Sequence, residues 1–143
     1  MKNNMPIIGI LGGAGPDATI DLQIELSKAM KLNLGAVTDQ DHIRVITDNF
    51  TSMPDRSLAL EANGRSPIDN MIASAKCLER LGCDILLYPC NTAHAYLSDI
   101  QESINIPLLD MINLTCDKIR ENIKPMEKVG ILCTDMTKKI GLY

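Results

Sequence analysis

Asp84-Ile85-Leu86-Leu87-Tyr88-Pro89-Cys90-Asn91-Thr92-Ala93-His94 is an apolar run that stops at a proline and gives way to four chemically active side chains. A thiol, an amide, a hydroxyl and an imidazole follow Pro89 within five residues. The stretch reads as a buried strand, Asp84 to Tyr88, with a helix-like pattern resuming beyond the motif to about Ile104. In an open parallel α/β sheet, ligands gather outside the carboxyl ends of the strands. Cys90 at that position is a candidate nucleophile or base. Asn91 and Thr92 are placed to orient a small polar ligand.

Working outward, Ile68, Met71, Ile72, Ala75, Leu78 and Leu81 recur at helical spacing before this strand. Ser66 can cap that helix, Pro67 suits its first turn, and Gly82 stops it. Asn49 to Ser66 is a long polar loop punctuated by Pro54 and Gly64, a length at which loops often bind or cover a ligand. Arg44 to Thr47 reads as the second strand and Asn33 to Asp41 as a polar loop. At the start of the chain, Ile7 to Leu11 suits a strand buried on both faces. Gly12 to Pro16 turns the chain into a helix reaching about Lys31, with Asp17 or Thr19 near its cap and Leu22, Leu26 and Ala29 along one side.

Downstream of the motif, Pro107 to Leu109 reads as a brief fourth strand. Ile112, Cys116, Ile119 and Ile123 mark a further helix ended by Pro125. Lys128 to Cys133 reads as a fifth strand, and Thr134 to Thr137 as the cap of one more helix. Strands alternating with amphipathic helices imply βαβ units, a parallel sheet with helices on both faces, in a Rossmann-like or flavodoxin-like three-layer arrangement. Residues 1–124 then form one α/β domain, and residues 125–143 the beginning of a second, truncated one.

Composition narrows the function classes. At 143 residues and 45% hydrophobic, the chain can bury one ordinary core. A net charge of −4 and an aromatic content of 3% offer neither a basic footprint nor stacking platforms for nucleic acid. No apolar run approaches the length of a membrane span, and Met1-Lys2-Asn3-Asn4 leads straight into a strand-like segment, so a cytoplasmic location is expected. The five cysteines include no CxxC pair and read as reduced thiols. Cys90 and His94 lie one helical turn apart, but two ligands do not make a zinc site, and no metal is expected.

Three motifs can be weighed on their residues. Gly13-Ala14-Gly15-Pro16-Asp17-Ala18 fits a G-x-G-x-x-A turn after a strand and before a helix. The acidic residue such a fingerprint requires does not follow at the right distance: Asp48 lies too far along. A turn bringing backbone close to a neighbouring strand is the simplest reading, a backbone-amide site for a small carboxylate the second, and a nucleotide site the third. Arg56 in Pro54-Asp55-Arg56 is either a solvated loop residue or a guanidinium for carboxylate capture. Cys90, unlike Cys77, Cys83 and Cys116, sits at a polar strand exit near a helix start, where amides can favour a thiolate. His94 can pair with that thiol or contact backbone.

Taken together, Gly9 to Thr19, Pro54-Asp55-Arg56 and Pro89-Cys90-Asn91-Thr92-Ala93-His94 resemble the aspartate/glutamate racemase family, aspartate racemases in particular. Ile106 to Leu109 and Val129 to Thr137 continue the likeness in order, so that it covers nearly the whole chain. The resemblance implies a racemase of an acidic amino acid that uses no pyridoxal phosphate or other cofactor. It implies two similar α/β domains with the substrate between them, and one cysteine from each domain on opposite sides of the α-carbon. One thiolate removes the α-proton while the opposing thiol delivers one, and the carbanion is stabilised by hydrogen bonds in a preorganised site. Carried over, Cys90 is one acid/base; Asn91 and Thr92, with Ala93 beside them, bind the α-amino and carboxylate groups. Arg56 holds a carboxylate, and Thr134 and Thr137 match a threonine pair that faces the ligand.

Three features depart from the family pattern. Ala14 stands where aspartate racemases usually carry methionine. The second domain has only begun at Tyr143, and the Gly-Cys-Thr segment expected to hold the second catalytic cysteine is not among these residues. Cys133 lies before the threonine pair and does not correspond to it. The competing expectation is therefore a non-catalytic truncated homologue that binds an acidic small ligand or a partner chain, a homodimer included, through apolar surface left open by the fifth strand.

Overall fold

The computed structural model describes residues 5–61, 64–124 and 126–143. The expected stop at Pro125, the proposed domain boundary there, and the Met1–Asn4 leader lie outside the described residues. Three strands form one parallel sheet: β1 (Ile8–Gly12), β2 (Val45–Asn49) and β3 (Ile85–Leu87), in the order β2-β1-β3. Six α-helices accompany them among the described residues: α1 (Pro16–Leu34), α2 (Arg56–Leu60), α3 (Ile68–Arg80), α4 (Leu97–Glu102), α5 (Met111–Asn122) and α6 (Asp135–Lys139).

β1 is buried along its whole length, as a central parallel strand with covered faces must be. Ile8 pairs with Val45 on one side and with Ile85 on the other. Asp84 locks the β3 register: its amide donates to the Ile7 carbonyl at 2.8 Å, and its Oδ2 accepts from the Ile7 amide at 2.6 Å. Alternation along β3 then decides which face each side chain serves. Leu86 is fully buried in a cluster with Met71, Ala75 and Leu78 of α3, while Leu87 faces a cleft that Leu22 of α1 and Leu114 and Ile119 of α5 also line. The cleft holds about 600 Å³ and is almost wholly apolar. Helices thus serve both faces of a parallel sheet, as the alternating pattern implies.

Several elements differ from the sequence reading. The fourth strand reduces to a single bridge, Leu86 with Leu108. The fifth strand does not form: Lys128–Cys133 is irregular, with Val129, Ile131 and Leu132 exposed at 46%, 54% and 103%. A strand exists only through its ladder, and among the described residues no strand pairs with this one. Alternating hydrophobicity is therefore present without a structure to use it.

The long loop after β2 contains α2, whose N-cap Asp55 accepts from the Leu58 amide at 2.9 Å. The helix after the motif is split into a tight 3-10 turn, Thr92–Tyr96, and the short α4. Neither Asp17 nor Thr19 caps α1; Pro16 opens it, and it ends at Leu34, three residues beyond the expected stop, before the left-handed Gly35.

The glycine-rich turn performs the simplest of its three readings. Gly13 has φ +87° and passes so close to β2's exit that an added Cβ would lie 2.5 Å from the Phe50 carbonyl carbon. Its amide donates to Thr19 Oγ1 at 3.2 Å, and that hydroxyl donates to the Gly15 carbonyl at 3.1 Å. The turn is packed backbone against backbone and stitched by a buried threonine. Gly13→Ala is expected to lower stability by about 3 kcal/mol, because strain at positive φ and the Phe50 clash add. A melting temperature close to that of the unaltered chain would refute this account.

Candidate active site

The carboxyl end of β3 carries the motif, and three local constraints shape it. Pro89 ends the ladder, and the Cys90 amide turns back to donate to the Tyr88 carbonyl at 2.8 Å. The His94 amide then donates to the Asn91 carbonyl at 3.0 Å, opening the 3-10 turn. Thr92, Ala93 and His94 are buried, while Cys90 is half-buried and Asn91 exposed. Cys90 and Asn91 are accordingly the most accessible of the motif's polar side chains, with Thr92 at 9% exposure behind them.

His94 is committed elsewhere. Its Nδ1 lies 2.8 Å from the Cys90 carbonyl oxygen, and its Nε2 accepts from the Met111 amide at 3.2 Å. Nε2 as acceptor leaves the proton on Nδ1, which donates to the carbonyl. Both nitrogens bond backbone, so the imidazole anchors the loop and the start of α5 instead of drawing a proton from the thiol. The Cys90 thiol has a hydroxyl neighbour in its place: Sγ lies 3.7 Å from Thr92 Oγ1.

Arg56 comes to the motif through α2, which packs against the Thr92–Tyr96 turn. Its Nη1 reaches the Pro54 carbonyl at 3.4 Å, while its Nε is buried with no hydrogen-bond partner among the described residues. A buried guanidinium nitrogen without an acceptor is costly, and a carboxylate oxygen is one acceptor suited to it. Tyr88 ties the two sides together. Burial pushes its phenol well above the ordinary value, with Cys90 adding to the rise and Arg56 opposing it. Its hydroxyl donates to Met53 Sδ at 3.2 Å, in the loop that leads into α2.

The threonine pair is preformed. Thr134 caps α6, the two hydroxyl oxygens lie 3.1 Å apart, and Thr137 is buried. Two contacts fasten this segment to the rest: Lys139 Nζ to Glu61 Oε1 at 3.1 Å beyond α2, and Tyr143 Oη to Asn91 Oδ1 at 2.6 Å. Arg56, Cys90, Asn91 and Thr92 therefore meet at one end of the sheet, and α6 is held beside them. Ala93 belongs to the core and lines nothing reachable. Sequence reasoning missed Tyr143; a lone tyrosine after a glycine carries no signal of its partner.

Comparison with known proteins decides the lineage. A family profile described as Asp/Glu/Hydantoin racemase matches residues 11–143. The chain belongs to this racemase family. It is 31% identical over 142 aligned residues to the broad specificity amino-acid racemase RacX of Bacillus subtilis, covering 96% of this chain and 58% of that protein. An aspartate racemase from Picrophilus torridus superposes with a TM-score of 0.73 at 33% identity, over 82% of this chain and 48% of the other. An aspartate racemase homologue from Pyrococcus horikoshii OT3 shares the fold, with a TM-score of 0.63 at 21% identity, over 82% and 50%. The chain thus spans about half the length of the relatives it matches. No helix among the described residues is long and apolar enough to cross a membrane.

Removing the His94 anchor leaves the Cys90 carbonyl and the Met111 amide without their side-chain partner in a part-buried setting. His94→Ala is expected to cost about 2–4 kcal/mol, read from chemical denaturation. A loss below about 0.5 kcal/mol, the size of an ordinary surface substitution, would show that the imidazole does not hold the loop.

Proposed function

We propose that this chain supplies one wall of a cofactor-independent racemase site for aspartate or glutamate, with Cys90 as the acid/base on one face of the α-carbon. The observation that carries the reading is Arg56: a buried guanidinium nitrogen with no acceptor among the described residues, on a helix packed against the turn that follows the half-buried Cys90. An acidic amino acid offers a carboxylate for Arg56 and an acidic α-hydrogen for the thiolate. Asn91 and Thr92 hold the groups on the α-carbon, and Thr134 and Thr137 approach from the α6 side. Exchange of the α-proton at Cys90 requires stabilisation of the carbanion by these donors, since no electron sink enters the scheme.

Inversion requires a second acid/base on the opposite face. The thiol opposing Cys90 belongs to the portion of the family's length that this chain does not span, so racemisation proceeds in the protein that presents both. A chain with Cys90 alone exchanges the α-proton with retention. The broad specificity named for RacX keeps other amino acids in the substrate set, but the guanidinium favours a dicarboxylate.

Incubation of L-aspartate with the chain in deuterium oxide tests this directly. Deuterium is expected at the α-carbon, read by mass spectrometry with chiral separation, and Cys90→Ala is expected to abolish it. Arg56→Lys, which replaces a planar fork with a point charge, is expected to weaken dicarboxylate binding by about tenfold, equivalent to about 1.4 kcal/mol. Binding of L-aspartate without any exchange would favour the second reading, a homologue that captures an acidic ligand without turnover.

A further inference from the structure

Asn91 is the exposed polar residue of the motif, and an exposed amide left alone presents its donor and its acceptor equally. Here its oxygen is taken. Tyr143 Oη donates to Asn91 Oδ1 at 2.6 Å, a short bond even for a hydroxyl donor. With Oδ1 engaged, the Nδ2 hydrogens are what Asn91 offers a ligand. We propose that Tyr143 is a positioning residue that orients the Asn91 amide as a donor, so that Asn91 takes a carboxylate oxygen of an acidic ligand and not its ammonium group. The inference rests on the reading of an acidic-ligand site at Cys90 and narrows what one residue of that site does.

The path that brings Tyr143 to Asn91 is built into the fold. α6 is docked, with Met136 and Thr137 buried and Lys139 bonded to Glu61. The helix ends in a paired turn: the Leu142 amide donates to the Thr137 carbonyl at 3.4 Å and the Gly141 amide to the Lys138 carbonyl at 3.2 Å. Gly141 at φ +63° reverses the chain, a conformation that glycine adopts without penalty. That reversal brings Tyr143, which stays 40% exposed, to the wall of a recess of about 350 Å³ that Cys133 and Thr137 also line. Burial first, then Cys116 and Cys133, push the phenol above its ordinary value, which keeps it a donor at neutral pH. Tyr143 thereby links the threonine segment to the cysteine motif through one bond.

The test is Tyr143→Phe in the full chain, which removes the hydroxyl and keeps the ring. In amide-resolved nuclear magnetic resonance, the two Asn91 side-chain amide proton signals are expected to lie away from the positions of a free asparagine in the unaltered chain and to move toward those positions in the variant. Gly141→Ala, which penalises the reversal, is expected to loosen the same signals. Succinate, which has carboxylates but no ammonium, and L-aspartate are both expected to lose about threefold to tenfold in affinity in Tyr143→Phe. Unmoved Asn91 signals overturn the positioning role. Weaker aspartate binding with unchanged succinate binding overturns the carboxylate assignment, since the amide oxygen would then be serving the ammonium. If the unaltered chain binds neither ligand, the acidic-ligand reading itself fails and the carboxylate role with it. The Asn91 signals judge the tyrosine contact in either case.

Discussion

The His94 imidazole holds the Cys90 carbonyl with one nitrogen and the Met111 amide with the other, and the site depends on that pair of hydrogen bonds. Cys90 follows a proline that ends its strand, so no ladder supports it. Without the imidazole, two part-buried backbone groups would lose their partners and the loop would lose its tie to α5. The same ring also serves the start of α5, which Asp110 caps, because the Met111 amide is one of the helix-end donors left over by the α-helical pattern. A residue that looks in sequence like a partner for the thiol is instead the reason the thiol has a fixed position.

From that anchor the parts of the site are delivered by three separate elements. β3 carries Cys90 to the end of the sheet, α2 carries Arg56 against the turn, and α6 brings the threonine pair alongside. Only the first is fixed by strand pairing. α2 is a five-residue helix whose start depends on the Asp55 cap, and α6 is held through Lys139 and Tyr143. The proton-transfer chemistry proposed for Cys90 thus lies at a junction between a rigid sheet and two short, locally capped helices. The buried Arg56 Nε, which has no hydrogen-bond partner among the described residues, stands at that junction as it would in a site completed by an anion.

Much of the fold was legible because its signals are local. Ile7 to Leu11 and Asp84 to Tyr88 announce buried parallel strands, and the stripe from Ile68 to Leu81 announces α3, since burial imposes those patterns directly on the residues. Lys128 to Cys133 shows the weakness of the same logic. Its alternation is that of a strand, but a strand needs a neighbour, and a neighbour is not a local property. α2 was hidden for the opposite reason: its capping aspartate and five residues are too short a signal to stand out in a polar loop. Motif likeness brought Cys90, Asn91, Thr92 and Arg56 into one list, yet it left the imidazole's role open and gave no sign of Tyr143.

By itself the sequence determined the family and the α/β alternation and singled out Cys90 as the candidate thiol, because each is carried by contiguous residues whose chemistry or periodicity is self-contained. Only the tertiary structure decided that His94 serves the backbone, that the glycine turn packs on Phe50, that the fifth strand goes unpaired, and that Tyr143 reaches Asn91. Those outcomes depend on which groups, distant along the chain, meet within hydrogen-bond reach. Hydrogen bonds are satisfied in space, and spacing along the sequence does not record where the other partner will be.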